Sequence, residues 1–237
     1  MKVLHIITRM NTGGPAVFLD HLTTSINELG CQSVIAYGFC ESNESDYTNN
    51  HKLKTELVKI RSLHRSLSPI DDIRAFFQIR KVIKQVKPDL VNTHTSKGGV
   101  LGRVAAKSVS RKLPVVHTFH GHLLQGYFSK LATTLIVLTE KSLARISDVL
   151  ISMGNHVKNE LLAVGIGEDY KYQVLFPGVA DSGLSTISPE ASAFKSKYSD
   201  EIICTFVGRL STIKRCDRII ELAKLAEAQG QSIHFAI

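Results

Sequence analysis

The sequence has no tryptophan and only four cysteines in 237 residues. No two of the cysteines (Cys31, Cys40, Cys204 and Cys216) form a CxxC pair, and none lies beside a histidine cluster. A disulfide framework is therefore not expected in a chain of this size. We predict that all four are buried, unreactive thiols.

Long hydrophobic runs are also missing. No window approaches the roughly 18 consecutive apolar residues that span a bilayer. The start has one lysine and a short apolar run at 3–7, without the longer stretch and cleavage site of a signal peptide. With 43% apolar residues and a mean hydropathy of +0.04, the composition is typical of a globular protein. We expect the protein in the cytoplasm.

Acidic residues are scarce in one part of the chain. Residues 52–112 carry 15 Lys and Arg against 4 Asp and Glu, whereas the whole chain has a net charge of +8. Such a segment is either a solvated face or a contact for an anionic partner: nucleic acid, a membrane surface or a phosphorylated substrate. No helix-turn-helix, RNP or zinc-finger pattern is present, so nucleic acid is not the expected partner.

Strand and helix patterns alternate along the first 181 residues. This alternation with short connections predicts an α/β fold, a doubly wound parallel Rossmann-like sheet. Residues 40–50 are polar and predict an exposed loop. The predicted strands cover 3–7, 33–37, 57–60, 90–91, 115–119, 149–153 and 172–176, and the predicted helices 16–29, 70–86, 98–109, 130–145 and 157–164.

The last part of the chain predicts a second, incomplete Rossmann-like domain. A linker region over 182–199 precedes a βαβ unit over 200–237, with strands from 202 and 232 and a helix over about 215–229. Two parallel strands cannot cover their own edges and both faces.

Ligands of open α/β sheets bind beyond the carboxyl ends of the strands. Gly13 and Gly14 follow the first strand, where paired glycines before a helix suit an anion or form a tight turn. His94, Ser96 and Lys97 follow the strand at 90–91. Neither GxGxxG, a Walker lysine nor GxSxG occurs.

Three histidines, His117, His120 and His122, lie at the next strand end. They suggest zinc, but strand alternation places His117 on the opposite face, and no cysteine or carboxylate is near. We therefore expect no metal and favour a polar site for sugar or phosphate. Near the end of the chain, Arg209 and Lys214 follow Gly208 and could clamp a diphosphate or simply lie exposed on a turn.

Four stretches together resemble one enzyme family: TGGPAVFL, VNTHTSKGGVLGRVAA, VVHTFHGHLLQGYFS and FVGRLSTIKRCDRII. They are similar, in order and spacing, to GT-B glycosyltransferases of the retaining family 4 that build bacterial surface polysaccharides. The resemblance implies an N-terminal acceptor-binding domain and a C-terminal domain for a nucleotide-diphosphate sugar. It implies no metal cofactor.

The resemblance also implies roles for residues of this chain. Catalytic roles fall on His120, beside the reacting sugar, and on Arg209 and Lys214, which would neutralise the leaving diphosphate. The basic segment would dock on an anionic membrane to reach a lipid-linked acceptor. Donor binding falls on Gly13, Gly14, Gly208, Arg209 and Lys214, and acceptor binding on His94, Ser96, Lys97 and His122.

The family's Glu-x7-Glu motif would lie beyond Ile237, so we expect the chain alone to be inactive. Two alternatives stay open at this point. The chain is a non-catalytic module that binds an acceptor, a membrane or a partner, or it belongs to a GT-B nucleotide-sugar epimerase.

Overall fold

The computed structural model of the chain describes residues 1–121, 130–178, 188–199, 201–208, 210 and 214–237. Its contacts divide the chain into two compact units, Met1–Gly178 and Val179–Ile237. The sequence analysis placed the corresponding boundary at residue 181. The two units are described separately below.

Unit 1 is an α/β domain built on a seven-stranded sheet in the order β3-β2-β1-β4-β5-β6-β7, in which every strand pair is parallel. This architecture confirms the predicted fold class. Its elements are β1 (Lys2–Arg9), α1 (Gly14–Glu28), β2 (Gln32–Gly38), α2 (Tyr47–Asn50), β3 (Glu56–Lys59), α3 (Pro69–Val86), β4 (Leu90–His94), α4 (Ser96–Val109), β5 (Val115–Phe119), α5 (Lys130–Ile146), β6 (Val149–Ser152), α6 (Asn155–Ala163) and β7 (Tyr172–Val174).

The central strand β1 is covered on both faces, which explains its continuous apolar sequence. Leu4 and Ile6 pack in a core cluster that also holds buried residues of α3 and α4. Ile7 faces the opposite way and packs with Ala16 and Leu19 of α1. Because both faces of β1 are buried, the strand is held firmly in place, and so are the residues at its carboxyl end.

The strand order reverses between β1 and β4, and this switch point is where open α/β sheets form their ligand crevice. Helix α4 approaches the end of β1 closely at Gly98. A Cβ added there would lie 2.7 Å from the backbone nitrogen of Thr8. Glycine at position 98 therefore allows the start of α4 to sit against the end of β1.

Two predictions about unit 1 and the thiols are wrong. Residues 40–50 are not simply an exposed loop, because they contain α2 and the buried Tyr47. The hydroxyl of Tyr47 donates to Asp20 at 2.9 Å, which satisfies its polar end in the core. The four cysteines are free but none is buried: Cys204 is exposed and the other three are partly exposed.

Unit 2 contains α7 (Pro189–Lys197), β8 (Ile202–Thr205), α8 (Cys216–Ala228) and β9 (Ile233–Ala236), and β8 pairs with β9 in parallel. Helix α7 lies within the stretch predicted as a linker, and its N-cap Ser188 accepts a hydrogen bond from the nitrogen of Ala191. Ile202, Val207 and Leu225 are more than half exposed. Large apolar side chains on this two-stranded sheet and its helix therefore remain open to solvent.

Candidate functional site

A chain of three histidines runs to the carboxyl edge of the unit 1 sheet. His5 lies on β1, His94 ends β4, and His120 follows β5. Nδ1 of His5 lies 3.2 Å from Nε2 of His94, and Nδ1 of His94 lies 2.9 Å from Nε2 of His120. His94 pairs in register with Ile7, so His5 is two positions away and projects from the same face.

Burial keeps these imidazoles neutral. Loss of hydration lowers the pKa of His5 to about 3 and that of His120 to about 4. It lowers the pKa of His94 well below the ordinary value, and the neighbouring His120 and His5 lower it further. At neutral pH the three rings therefore act as hydrogen-bond donors and acceptors rather than as cations.

His117 belongs to the other face of the sheet. Its Nδ1 lies 2.9 Å from the hydroxyl of Thr93, and both side chains are buried. Its separation from the chain of three histidines follows the alternation of β5. In the parts of the chain that the structure describes, no three His, Cys, Asp or Glu residues are grouped to hold a metal ion.

The Gly13–Gly14 turn lies at the start of α1, close to the histidine chain. Phe18, one turn into α1, meets the ring of His120 edge-on with centroids 5.3 Å apart. Among the residues that the structure describes, a Cβ at Gly14 would have no atom within 4 Å, and the nearest to a Cβ at Gly13 would be the carbonyl oxygen of Asn11 at 3.9 Å. Packing against the described part of the chain does not require these two glycines, which leaves room there for a ligand.

A pair of threonines, which the sequence analysis missed, fixes the turn between β4 and α4. The hydroxyls of Thr8 and Thr95 lie 2.6 Å apart. The backbone nitrogen of Gly98 donates a hydrogen bond to the Thr8 hydroxyl at 2.8 Å. Thr95 has φ of 61°, which is unfavourable for a β-branched residue. Its hydrogen bonds hold this strained turn in place, directly before Ser96.

The predicted acceptor residues of this turn separate in the structure. Ser96 is exposed at the start of α4, and His94 joins His120 as described above. The ammonium group of Lys97 instead contacts Asp72 Oδ1 of α3 at 2.5 Å and the carbonyl of Ser66. The charge of Lys97 is thus balanced within the protein, and its assignment to the acceptor stays a prediction.

A buried ion pair on the other face of the sheet was also missed. Arg103 of α4 donates through Nη2 to both carboxylate oxygens of Glu140 of α5, at 2.8 and 2.7 Å, and both residues are almost wholly buried. Burial lowers the pKa of Arg103, and the Glu140 charge opposes that effect. The placement of Arg103 four residues after Gly99, on the small-residue face of α4, is the signal that could have indicated an inward side chain.

The predicted donor residues fall mainly in unit 2. Gly208 follows β8, and Lys214 is exposed two residues before α8 begins. Arg209 and His122 lie outside the described residues.

Comparison with solved structures identifies the class of fold. The chain superposes on Anabaena HepE in complex with UDP with a TM-score of 0.67 and 16% identity, over 99% of this chain and 68% of that one. Sucrose-phosphate synthase from Thermosynechococcus elongatus gives a TM-score of 0.70 and 14% identity, over 99% of this chain and 61% of that one. A UDP-GlcNAc 2-epimerase from Methanocaldococcus jannaschii gives 0.59 and 17%, over 100% and 66%. These neighbours define a GT-B fold.

The family follows from sequence. The family model described as Glycosyltransferase Family 4 matches residues 12–182. The chain therefore belongs to Glycosyltransferase Family 4, which confirms the resemblance drawn from the four motifs.

Curated relatives come from bacterial polysaccharide synthesis. The chain is 29% identical to the Escherichia coli UDP-Gal:alpha-D-GlcNAc-diphosphoundecaprenol alpha-1,3-galactosyltransferase, over 70% of this chain and 43% of the relative. It is 29% identical to the putative glycosyltransferase EpsD of Bacillus subtilis, over 70% and 45%. It is 20% identical to the capsular polysaccharide biosynthesis glycosyltransferase CapM of Staphylococcus aureus, over 81% and 52%. The matched part is about half the length of each relative.

Proposed function

We propose that this chain is the acceptor-binding part of a retaining glycosyltransferase. The enzyme would transfer a sugar from a nucleotide-diphosphate sugar to a polysaccharide or lipid-linked acceptor. The observation that carries the proposal is the chain of neutral histidines that ends at His120, beside the open Gly13–Gly14 turn and at the switch point of the sheet. Family membership and the named activities of the relatives support it.

The site suits a neutral, hydroxyl-rich ligand next to an anionic group. An uncharged His120 offers a directional hydrogen bond to a sugar hydroxyl, and its low pKa keeps it uncharged at physiological pH. The start of α1 offers a phosphate the backbone N–H of Gly14 and the positive end of the helix dipole. Pro15 has no N–H, and those of Ala16 and Val17 donate to the carbonyl of Gly13. Ser96, at the start of α4, would contact the acceptor, and His122 keeps the same proposed role from its place in the sequence alone.

The donor diphosphate would be held by Gly208, Arg209 and Lys214. Two cations near a helix start stabilise the negative charge that develops on a leaving nucleoside diphosphate, without a metal ion. Removing one such donor from an active site commonly costs about 100-fold to 1,000-fold in rate. We therefore expect sugar transfer to continue in the presence of EDTA.

A transfer assay tests the proposal and separates it from the alternatives. The chain alone and the chain extended by a complete second domain would each receive a panel of nucleotide-diphosphate sugars and a short-prenyl N-acetylglucosaminyl diphosphate. We expect product from the extended chain and no product from the short chain. Product from the short chain would contradict the assignment of the donor site to a second domain.

An epimerase is the second candidate because solved epimerases share the fold. The family model and the named curated relatives favour transfer. Conversion of UDP-GlcNAc to its 2-epimer by the extended chain, with no acceptor present, would favour the epimerase. If the extended chain neither transfers nor epimerises but the short chain still binds the acceptor, the non-catalytic module would be the better description.

The outer face of α3 supports a second part of the proposal, docking on an anionic membrane. Ile70, Ile73 and Phe77 recur at helical spacing and are each more than half exposed. Lys81 and Lys84 continue the same face and are exposed, and with Phe77 they line a shallow groove. Apolar side chains flanked by lysines are typical of helices that lie in a membrane interface.

Several cations of the basic segment are balanced by carboxylates, whereas Lys81 and Lys84 of α3 are exposed and have no carboxylate partner among the described residues. Lys59, Lys97, Arg103 and Lys107 are each paired with a carboxylate inside unit 1. Among the residues that the structure describes, no helix is both long and apolar enough to cross a membrane. We therefore propose peripheral attachment, from the cytoplasm, to the inner face of the cell membrane.

Vesicle co-sedimentation tests the docking proposal. We expect binding to phosphatidylglycerol vesicles at low salt, loss of binding at high salt, and little binding to phosphatidylcholine vesicles. Each basic residue near such a surface is worth about 1 kcal/mol, so Lys81→Glu with Lys84→Glu should weaken binding about 30-fold or more. Lys224→Glu on α8 is the control with a charge change of the same kind. Absence of binding to anionic vesicles at low salt would contradict the docking proposal.

A further inference from the structure

The histidine chain links three residues of different strands through nitrogen–nitrogen hydrogen bonds only. His94 stands in the middle, with Nε2 facing His5 and Nδ1 facing His120. The rings of His5 and His94 are stacked with centroids 5.4 Å apart. Nε2 of His5 is buried and has no hydrogen-bond partner among the described residues. The chain therefore has one closed end, at His5, and one end at the sheet edge, at His120.

We infer that His5 and His94 are positioning residues that act through His120, because the three imidazoles share one tautomer. A neutral imidazole has one N–H and one lone pair. His94 must therefore accept from one neighbour if it donates to the other. Following the two bonds along the chain leaves two patterns: all three rings carry the proton on Nδ1, or all three carry it on Nε2.

A mixed pattern breaks at least one of the two hydrogen bonds. Its nitrogens would then face each other as two N–H groups or as two lone pairs, in a place where His5 and His94 are closed to water. Buried polar groups left without partners are costly, so mixed patterns are disfavoured by roughly tenfold or more.

The shared tautomer decides what His120 offers to a ligand. Nδ1 of His120 is the remaining nitrogen at the sheet edge, and it makes no hydrogen bond within the described part of the chain. In the Nδ1 pattern it is a donor, and in the Nε2 pattern it is an acceptor. The ring nitrogen of His5 that carries the proton therefore determines the hydrogen bond that His120 makes, although the two residues share no hydrogen bond. Only the consequence for sugar transfer rests on the proposed function.

Nitrogen-15 NMR of the histidine-labelled chain tests the inference without any activity measurement. Long-range proton–nitrogen spectra distinguish protonated from unprotonated ring nitrogens at each of the ten histidines. We expect His5, His94 and His120 to carry the proton on the same nitrogen. Protons on different nitrogens in any two of these rings would overturn the inference.

A substitution at the closed end supplies the second measurement. His5→Phe keeps a ring but removes the hydrogen bond to His94 from both tautomer patterns. The bond between Nδ1 of His94 and Nε2 of His120 remains, so these two rings should still carry the proton on the same nitrogen. His117, on the opposite face, is the internal reference and should not change. His5→Asn, which keeps a polar group near the Nδ1 position, replaces His5→Phe if that variant does not fold. Protons on different nitrogens of His94 and His120 in the folded variant would also overturn the inference.

Discussion

A substitution at Gly14 should affect the stability of the fold and the activity of the proposed site in opposite directions. A Cβ at Gly14 would meet no atom of the described residues within 4 Å, and alanine is a better helix former than glycine. We predict that Gly14→Ala raises the free energy of unfolding by up to about 0.5 kcal/mol. In the extended enzyme it should lower transfer at least tenfold, because the methyl group occupies space proposed for the diphosphate. Urea unfolding and the transfer assay measure the two effects.

Gly98→Ala is the matched control for that prediction. Its Cβ would lie 2.7 Å from the backbone nitrogen of Thr8, so the start of α4 must move. Overpacking of this kind commonly costs about 1–3 kcal/mol, and we expect a loss of that size. Equal effects of the two substitutions on stability would contradict the view that only Gly98 is required by packing.

The buried histidines predict that stability decreases in mild acid. The pKa of His5 is about 3 and that of His120 about 4 in the fold, against about 6.5 in the unfolded chain. Below pH 6.5 the unfolded chain therefore binds more protons, and the free energy of unfolding falls as pH falls. The slope is up to about 1.4 kcal/mol per pH unit for each such histidine. Above pH 6.5 these histidines are neutral in both the folded and the unfolded chain, so they no longer lower the free energy of unfolding.

Urea unfolding between pH 7.5 and pH 5 measures this slope. His5→Asn removes one of the titrating groups, so its slope should be smaller by up to about 1.4 kcal/mol per pH unit. A slope equal to that of the unsubstituted chain would show that His5 is not held neutral in the folded state.

At the scale of elements, the Arg103–Glu140 pair ties α4 to α5. Both side chains are almost wholly buried, so removing one leaves the other charge without a partner. We predict that Arg103→Met lowers the free energy of unfolding by about 3–5 kcal/mol. Replacing both residues, as Arg103→Met with Glu140→Leu, should recover much of that loss because no buried charge remains. If the double variant lost as much free energy of unfolding as the two single variants together, this account would be contradicted.

The elements themselves could be predicted from sequence because each depends on local periodicity. The apolar spacing of 70–86 predicted α3 within one residue of its observed start at Pro69, and the β-branched run at 115–119 predicted β5. Tyr47 was missed because its burial depends on Asp20, which lies 27 residues earlier in another helix. Local polarity alone indicated a loop there.

The sequence indicated the edge of the sheet at which the candidate site lies, but not which side chains contact one another there. Placing ligands at the carboxyl ends of strands singled out His94 and His120, two residues that the structure brings into contact. His5 was overlooked because a single histidine inside an apolar run gives no local signal. Lys97 was assigned to a ligand because the position of Asp72, 25 residues away, cannot be read from periodicity. Such contacts depend on the register of β1 with β4 and on the packing of α3 against α4.

At the scale of the whole molecule, the match to two named relatives covers 70% of this chain and only 43% and 45% of their own lengths. Unit 1 has a two-sided sheet with helices over both faces, whereas unit 2 leaves apolar residues such as Val207 exposed. The described site lies in unit 1, and the proposed diphosphate cations lie in unit 2. This division predicts that acceptor binding and sugar transfer are separable.

Titration of the nitrogen-15-labelled chain with a short-prenyl N-acetylglucosaminyl diphosphate tests the central claim most directly. The account predicts saturable binding, with shifts at the amides of Ser96 and Lys97, which are assigned to the acceptor, and at the ring nitrogens of His120. It also predicts that His120→Ala weakens binding about tenfold, because one directional hydrogen bond to the sugar is lost. Saturable binding with no change at these three residues, or no binding by the folded chain, would contradict it.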